Sequence, residues 1–185
     1  SYEQIVLVER LRKSVAIINP SIPNDAQEQA IQKVLRIYTP ELLHNNETFH
    51  QLLLEKVKIP YQQDGFERSY EVDLMDFENP FNNEFLCVNQ YTIVEKNQNK
   101  RPDVLLFVNG LPLVVIELKN AVDENATIKS AYNQLQTYKQ TIPSLFTYNE
   151  LLIVSDGWDA LCGTVTSDFG RFMSWRSEER RVGKE

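Results

Sequence analysis

The chain has 185 residues, 42% hydrophobic and 24% charged, the makeup of an ordinary globular domain with enough chain for a sizeable core. No apolar run approaches the roughly 20 residues that span a bilayer, and Glu3, Glu9 and Arg10 interrupt any signal-peptide core. The formal charge of −7 argues against sequence-independent binding of nucleic acid through a broad basic surface, though not against a local groove or a site where metal ions offset the acids.

Three helices are predicted first. Residues 3–18 place Ile5, Val8, Leu11, Val15 and Ile18 near helical spacing. Pro23-Asn24-Asp25 starts a second helix, with Asp25 and Glu28 spaced as a capping box. Its buried face is Ile31, Val34, Leu35 and Tyr38, and Pro40 stops it. A short third helix over about 46–54 carries Phe49, Leu52 and Leu53. Strands are expected around 70–75, 84–88 and 90–94, with turn chemistry at Asn79-Pro80 and Asn82-Asn83.

Residues 101–120, RPDVLLFVNGLPLVVIELKN, read as two apolar strands joined by Asn109-Gly110. NATIKSAYNQLQTYKQTIP follows as a helix with Ile128, Ala131, Leu135 and Tyr138 on one face, Thr127 or Asn125 as its cap, and Pro143 as its stop. Residues 151–155 form a short buried strand closed by Asp156-Gly157, and 160–166 another. Helices, then mainly antiparallel strands, then helix and strand imply a mixed α/β domain with a central mixed sheet flanked by helices. Cys87 and Cys162 are expected as two buried free thiols, as in a cytosolic protein. His44 and His50 have no cysteine nearby, which disfavours structural zinc. The ending RSEERRVGKE is polar and aperiodic, so 176–185 is expected to be a non-native tail on a domain, 1–175, truncated at both ends. That tail carries one more basic than acidic residue, so removing it leaves the chain acidic.

The chemistry concentrates where the 101–120 hairpin meets its own ends. Alternation places Leu113, Val115, Glu117 and Lys119 on one face and Val114, Ile116 and Leu118 on the other. With both faces apolar, the strand is expected to be covered on each side. A buried carboxylate or ammonium there requires a partner or an open cleft. Asp103 is the obvious partner, but a strict two-residue loop would pair it with Ile116 and point it to the wrong face. A three-residue loop, or one bulge near Pro112, which lacks a ladder amide, restores the parity. The bland alternative is an ordinary Glu–Lys pair at a strand end. If the three side chains converge, Asp103 and Glu117, with the Leu118 carbonyl, make a set of hard oxygen ligands suited to Mg²⁺. Lys119 would then orient an attacking water or offset charge on a phosphorane-like transition state.

Pro102-Asp103 followed by Glu117-Leu118-Lys119 resembles the PD-(D/E)xK nuclease pattern, and Gln134 with Tyr138 resembles the QxxxY motif of some of those nucleases. ENPFNNEFLCVNQYTI, the hairpin, and QLQTYKQTIPSLFTYNELLIVSDG together resemble the N-terminal nuclease domain of the restriction (R) subunit of type I restriction-modification enzymes, over about residues 1–175. The resemblance implies a restriction-endonuclease-like fold and a Mg²⁺-dependent endonuclease domain that cuts double-stranded DNA. It implies Asp103 and Glu117 as metal ligands, Lys119 as the catalytic lysine, and Gln134 and Tyr138 as residues that position the site or the DNA backbone. It also implies methyltransferase and specificity subunits as partners, a bacterial or archaeal cytoplasm as the location, and ATP only in a motor region outside this segment. No Walker A motif is present: Gly183-Lys184 lacks the upstream glycine and the following Ser/Thr. An additional acid from an early helix has Glu28 as its candidate, although capping explains Glu28 equally well. Two other readings stand beside this one: a RecB-like DNA repair nuclease, and a non-catalytic domain that tethers DNA or a subunit.

Overall fold

Three helices open the chain, α1 (Val8–Ile18), α2 (Asn24–Leu35) and α3 (Leu42–Glu55), in a computed structural model that describes residues 5–120 and 127–175. Leu11 and Val15 of α1 are buried, and Ile5 is buried just ahead of the helix. α2 ends at Leu35, short of the expected stop, so Tyr38 is 79% exposed rather than buried. Pro40 disfavours a helical Thr39, and Asn45 of α3 captures that residue by accepting from the Thr39 amide at 2.8 Å. The Asp25–Glu28 capping box does not form, because Pro23 is the N-cap and no side chain caps the helix. Glu28 instead receives a fork of hydrogen bonds from Arg12, Nε at 2.8 Å and Nη2 at 3.0 Å, a charge-assisted partner stronger than a backbone amide.

β1 (Val57–Gln63) and β2 (Phe66–Val72) form a hairpin of their own. Its loop is Asp64-Gly65, with φ of 53° and 78°, the mirror-image turn geometry that matches strand twist. The expected strand at 90–94 is displaced. Gln90 takes φ 52° and donates its amide to the Asp103 carbonyl at 2.7 Å. β4 (Ile93–Glu95) then pairs only with β5 (Gln98–Lys100).

The central sheet contains β3 (Phe85–Asn89), β6 (Val104–Val108), β7 (Leu111–Leu118), β8 (Leu151–Ser155), β9 (Ala160–Gly163) and β10 (Met173–Ser174), in the order β10-β9-β8-β7-β6-β3. β7 and β8 are parallel while the other neighbours are antiparallel. A parallel pair needs a crossover, here α4 (Ile128–Thr141) and α5 (Pro143–Thr147). Thr127 caps α4 by accepting from the Ser130 amide at 3.2 Å, as one of the two expected caps. Ala131, Leu135 and Tyr138 of α4 are buried in one core with Leu105, Phe107, Val115, Leu152 and Val154 of the sheet.

The opposite sheet face corrects an expectation. Leu106, Val114, Ile116 and Ile153 are only half-buried, and Leu118 is 46% exposed. Among the described residues β7 is therefore covered on one side, because every helix buries its apolar stripe toward the same core. The cysteines are corrected for the same reason: Cys87 is exposed and Cys162 half-buried, both projecting from this second face. The 176–185 segment lies outside the described residues.

The β6–β7 turn anchors the hairpin to the rest of the core. Asn109 and Gly110 have φ of 53° and 81°, and a Cβ on Gly110 would stand 2.5 Å from the Leu7 carbonyl oxygen, so only glycine fits. The buried Asn109 side chain donates to the Leu74 carbonyl (2.9 Å) and to Asn83 Oδ1 (2.8 Å), and accepts from the Glu84 amide (2.8 Å). Asn109→Ala strands these buried groups and is expected to lower stability by about 3 kcal/mol in urea unfolding, with an unchanged m-value. A loss below about 1 kcal/mol would make the network peripheral to folding.

Candidate active site

The hairpin register decides whether the charges meet. Val104 pairs with Ile116, Leu105 with Val115 and Leu106 with Val114, but Phe107 pairs with Pro112 and Val108 with Leu111. Leu113 is thus the extra residue of a bulge beside Pro112. Continued one step outward, the shifted register sets Asp103 opposite Glu117, on the same face. Asp103 lies just before β6, where its Oδ2 accepts from the Leu118 amide at 2.8 Å.

Glu117 is 1% exposed, on the face covered by α4. Lys119 continues beyond β7, its amide donating to the Ser155 carbonyl at 2.8 Å. Its ammonium donates to Glu117 Oε1 at 3.3 Å and to Gln134 Oε1 at 2.5 Å. Gln134 Nε2 in turn donates to Tyr138 Oη at 2.6 Å. Gln134 on α4 therefore holds the lysine, and the buried Tyr138, one turn further along the helix, sets the Gln134 amide.

Burial dominates the electrostatics. Loss of solvation, and then the Asp103 carboxylate, push Glu117 up to about 7, against the opposing pull of Lys119. Burial likewise raises Tyr138, against the pull of its Gln134 hydrogen bond. Glu117 Oε2 is buried without a hydrogen-bond partner among the described residues. An unpartnered carboxylate oxygen beside a second carboxylate suits a hard cation. The donors at hand are Asp103, Glu117 and the backbone of Leu118, whose carbonyl shares the strand edge with the amide bound by Asp103.

Asp103, Glu117, Lys119, Gln134 and Tyr138 are thus brought together, while Glu28 is not. Its partners are Arg12 and Gln32, and the Arg12 guanidinium holds its carboxyl well below the usual range. Among the described residues, no three His, Cys, Asp or Glu side chains form a metal-binding group. Sequence reasoning missed the Ser155 carbonyl and the Gln90 amide that pin the backbones of Lys119 and Asp103. Main-chain donors and acceptors leave no trace in side-chain identity.

The sequence model of the family described as "Type I restriction enzyme R protein N terminus" matches residues 1–171. The chain belongs to this family. Over 173 residues it is 43% identical to the type I restriction enzyme HindI endonuclease subunit of Haemophilus influenzae, covering 93% of this chain and 16% of that subunit. It is 34% identical over 182 residues to the putative MjaIXP endonuclease subunit of Methanocaldococcus jannaschii, covering 97% and 17%. It is 32% identical over 117 residues to the SauCOLORF180P endonuclease subunit of Staphylococcus aureus, covering 63% and 12%. The chain spans less than a fifth of the length of these relatives. No helix among the described residues is long and apolar enough to cross a membrane.

A carboxyl raised by burial stabilises the fold while protonated, and that contribution is lost as pH climbs from its unfolded to its folded pKa. In chelator, the native protein is therefore expected to lose roughly 3 kcal/mol relative to Glu117→Gln between about pH 4.5 and above pH 7. Paired urea titrations across that window check this, and parallel stability curves would show that Glu117 is not strained.

Proposed function

We propose that this segment is the Mg²⁺-dependent nuclease domain of a type I restriction enzyme R subunit, hydrolysing phosphodiester bonds of unmodified foreign double-stranded DNA. It would act in concert with an ATP-dependent translocase region elsewhere in the subunit and with methyltransferase and specificity subunits. The observation that carries the reading is the meeting of Asp103, Glu117 and Lys119 at one end of the hairpin, with Lys119 bonded to Glu117 Oε1 and Glu117 Oε2 left without a partner among the described residues. Family membership and the relatives' names support it independently.

Asp103 and Glu117 would hold the ion, with the Leu118 carbonyl beside them and water or phosphate oxygens completing its shell. A bound Mg²⁺ would polarise the scissile phosphate and lower the pKa of bound water. Glu117, ionised once a cation offsets Asp103, would no longer hold a proton, and its bond from Lys119 would tighten. Among the described residues, Glu117 and Gln134 engage two of the three ammonium donors of Lys119, and the third would serve the attacking water or a non-bridging phosphate oxygen. Gln134 and Tyr138 would act by positioning that ammonium rather than by touching the phosphate. The acidic chain leaves most of the affinity for DNA to the rest of the assembly.

Within the full enzyme, Lys119→Ala is expected to lower DNA cleavage by at least about 100-fold while leaving ATP hydrolysis intact. Cleavage unchanged in that variant would remove the lysine from the reaction and favour a tethering role. Calorimetric Mg²⁺ binding should weaken at least about tenfold in Asp103→Ala. Gln134→Ala should weaken cleavage by about tenfold and leave Mg²⁺ binding unaltered, separating positioning from ligation.

A further inference from the structure

The bulge in β7 is held by a side chain that the proposed chemistry does not use. Leu113 has no opposite number on β6, and its carbonyl is bonded to the start of β8. There it accepts twice, from the Glu150 amide at 2.8 Å and from Asn149 Nδ2 at 3.1 Å. The Glu150 bond continues the parallel ladder that begins with Val114 opposite Leu151, whereas the Asn149 bond is additional to it. Asn149 Nδ2 also donates to the Leu151 carbonyl at 2.9 Å, so both of its hydrogens are engaged. One amide group thus ties the bulged residue of β7 to the first residue of β8.

Asn149 is fixed in its turn. Asn46 of α3 donates to the Asn149 carbonyl at 2.7 Å and to the Phe146 carbonyl at 3.0 Å. Asn149 is 1% exposed, and its Oδ1 is buried without a partner among the described residues. An orphaned buried acceptor is destabilising, and a leucine of similar volume would avoid it. Packing alone therefore does not favour asparagine here, and its two donors do.

We propose that Asn149 is a positioning residue of the site: its amide clamps the Leu113 carbonyl, favours the bulge over a regular hairpin, and so keeps Asp103 on the face of Glu117. It acts through the strand, because Leu113 and Glu117 are four residues, about 13 Å, apart. The regular hairpin sets Asp103 opposite Ile116 and Val104 opposite Val115. A bulge re-aims side chains beyond it, and the clamp at Asn149 holds this one in place. The consequence for Mg²⁺ rests on the nuclease reading above, and the consequence for register does not.

Two measurements on the nucleotide-free full-length subunit separate positioning from support of the fold. Val104 and Ile116 stand opposite each other only in the bulged register, both half-buried, at a spacing a disulfide can span. With Val104→Cys and Ile116→Cys in place, the yield of that disulfide against glutathione, read by peptide mass spectrometry, reports the register. Adding Asn149→Leu, which keeps the volume and removes both donors, is expected to lower its effective concentration at least about fivefold. Without the two cysteines, Asn149→Leu is expected to weaken calorimetric Mg²⁺ binding at least about tenfold. Should Asn149→Leu not fold, Asn149→Ser, too short to span both carbonyls, carries the same two readouts. An unchanged disulfide yield would overturn the proposal whatever happens to Mg²⁺, and so would a lowered yield with unchanged Mg²⁺ affinity. A lowered yield in a subunit whose native form binds no Mg²⁺ would sink the metal reading and leave the register clamp standing.

Discussion

One extra residue in β7 governs the arrangement of every charged group in the site. Without Leu113 bulged beside Pro112, the two-residue turn at Asn109-Gly110 would set Asp103 against Ile116 and aim it away from Glu117. Strand side chains alternate, so a shift of a single residue exchanges the faces completely. The bulge leaves both strands paired at each end and lets two carboxylates share a face near the strand ends. Asn109, held through Leu74, Asn83 and Glu84, fixes the closed end of the same hairpin. The distant asparagine and the site acids are thus parts of one registered element.

The second determinant is the β7–β8 parallel pair. It obliges the chain to cross over, and the crossover helix α4 brings Gln134 and Tyr138 above Lys119. The same helix excludes water from Glu117, so one element both orients the lysine and unsettles the carboxylate. Glu117 lies between an attractive ammonium and a repulsive Asp103, and burial tips the balance toward protonation. A cation would reverse that balance by giving both acids a common partner. The strain is local and electrostatic, carried by a rigid scaffold.

The sheet is asymmetric. Its core face is closed by helices, with Phe107, Val115 and Leu152 fully or almost fully buried. Its other face keeps apolar side chains part-exposed. The candidate site lies on the core face at the β7 end, where Glu117 is buried.

Much of this was legible in the residues themselves. The Asn109-Gly110 turn, the alternation along β7, the 151–155 strand and the apolar stripe of α4 are local patterns, and each became the element it implied. So did the convergence of Asp103, Glu117 and Lys119, because Pro112 and the parity of two apolar strands left few ways to accommodate three charges. Other features depended on partners far along the chain. The hairpin of β1 and β2 carried its signal in Asp64-Gly65, but only the end of β2 fell within the expected strand at 70–75, because β2 is largely polar and β1 contains Pro60. Glu28 satisfied a capping pattern in sequence, and Arg12, packed beside it by the fold, took it away. Tyr38 fitted a helical stripe that Pro40 and Asn45 cut short. Local sequence determined periodicity, turns and the inventory of charges. Only tertiary structure decided which charge met which and which apolar face was covered, because burial and pairing energies arise between segments that sequence order does not bring together.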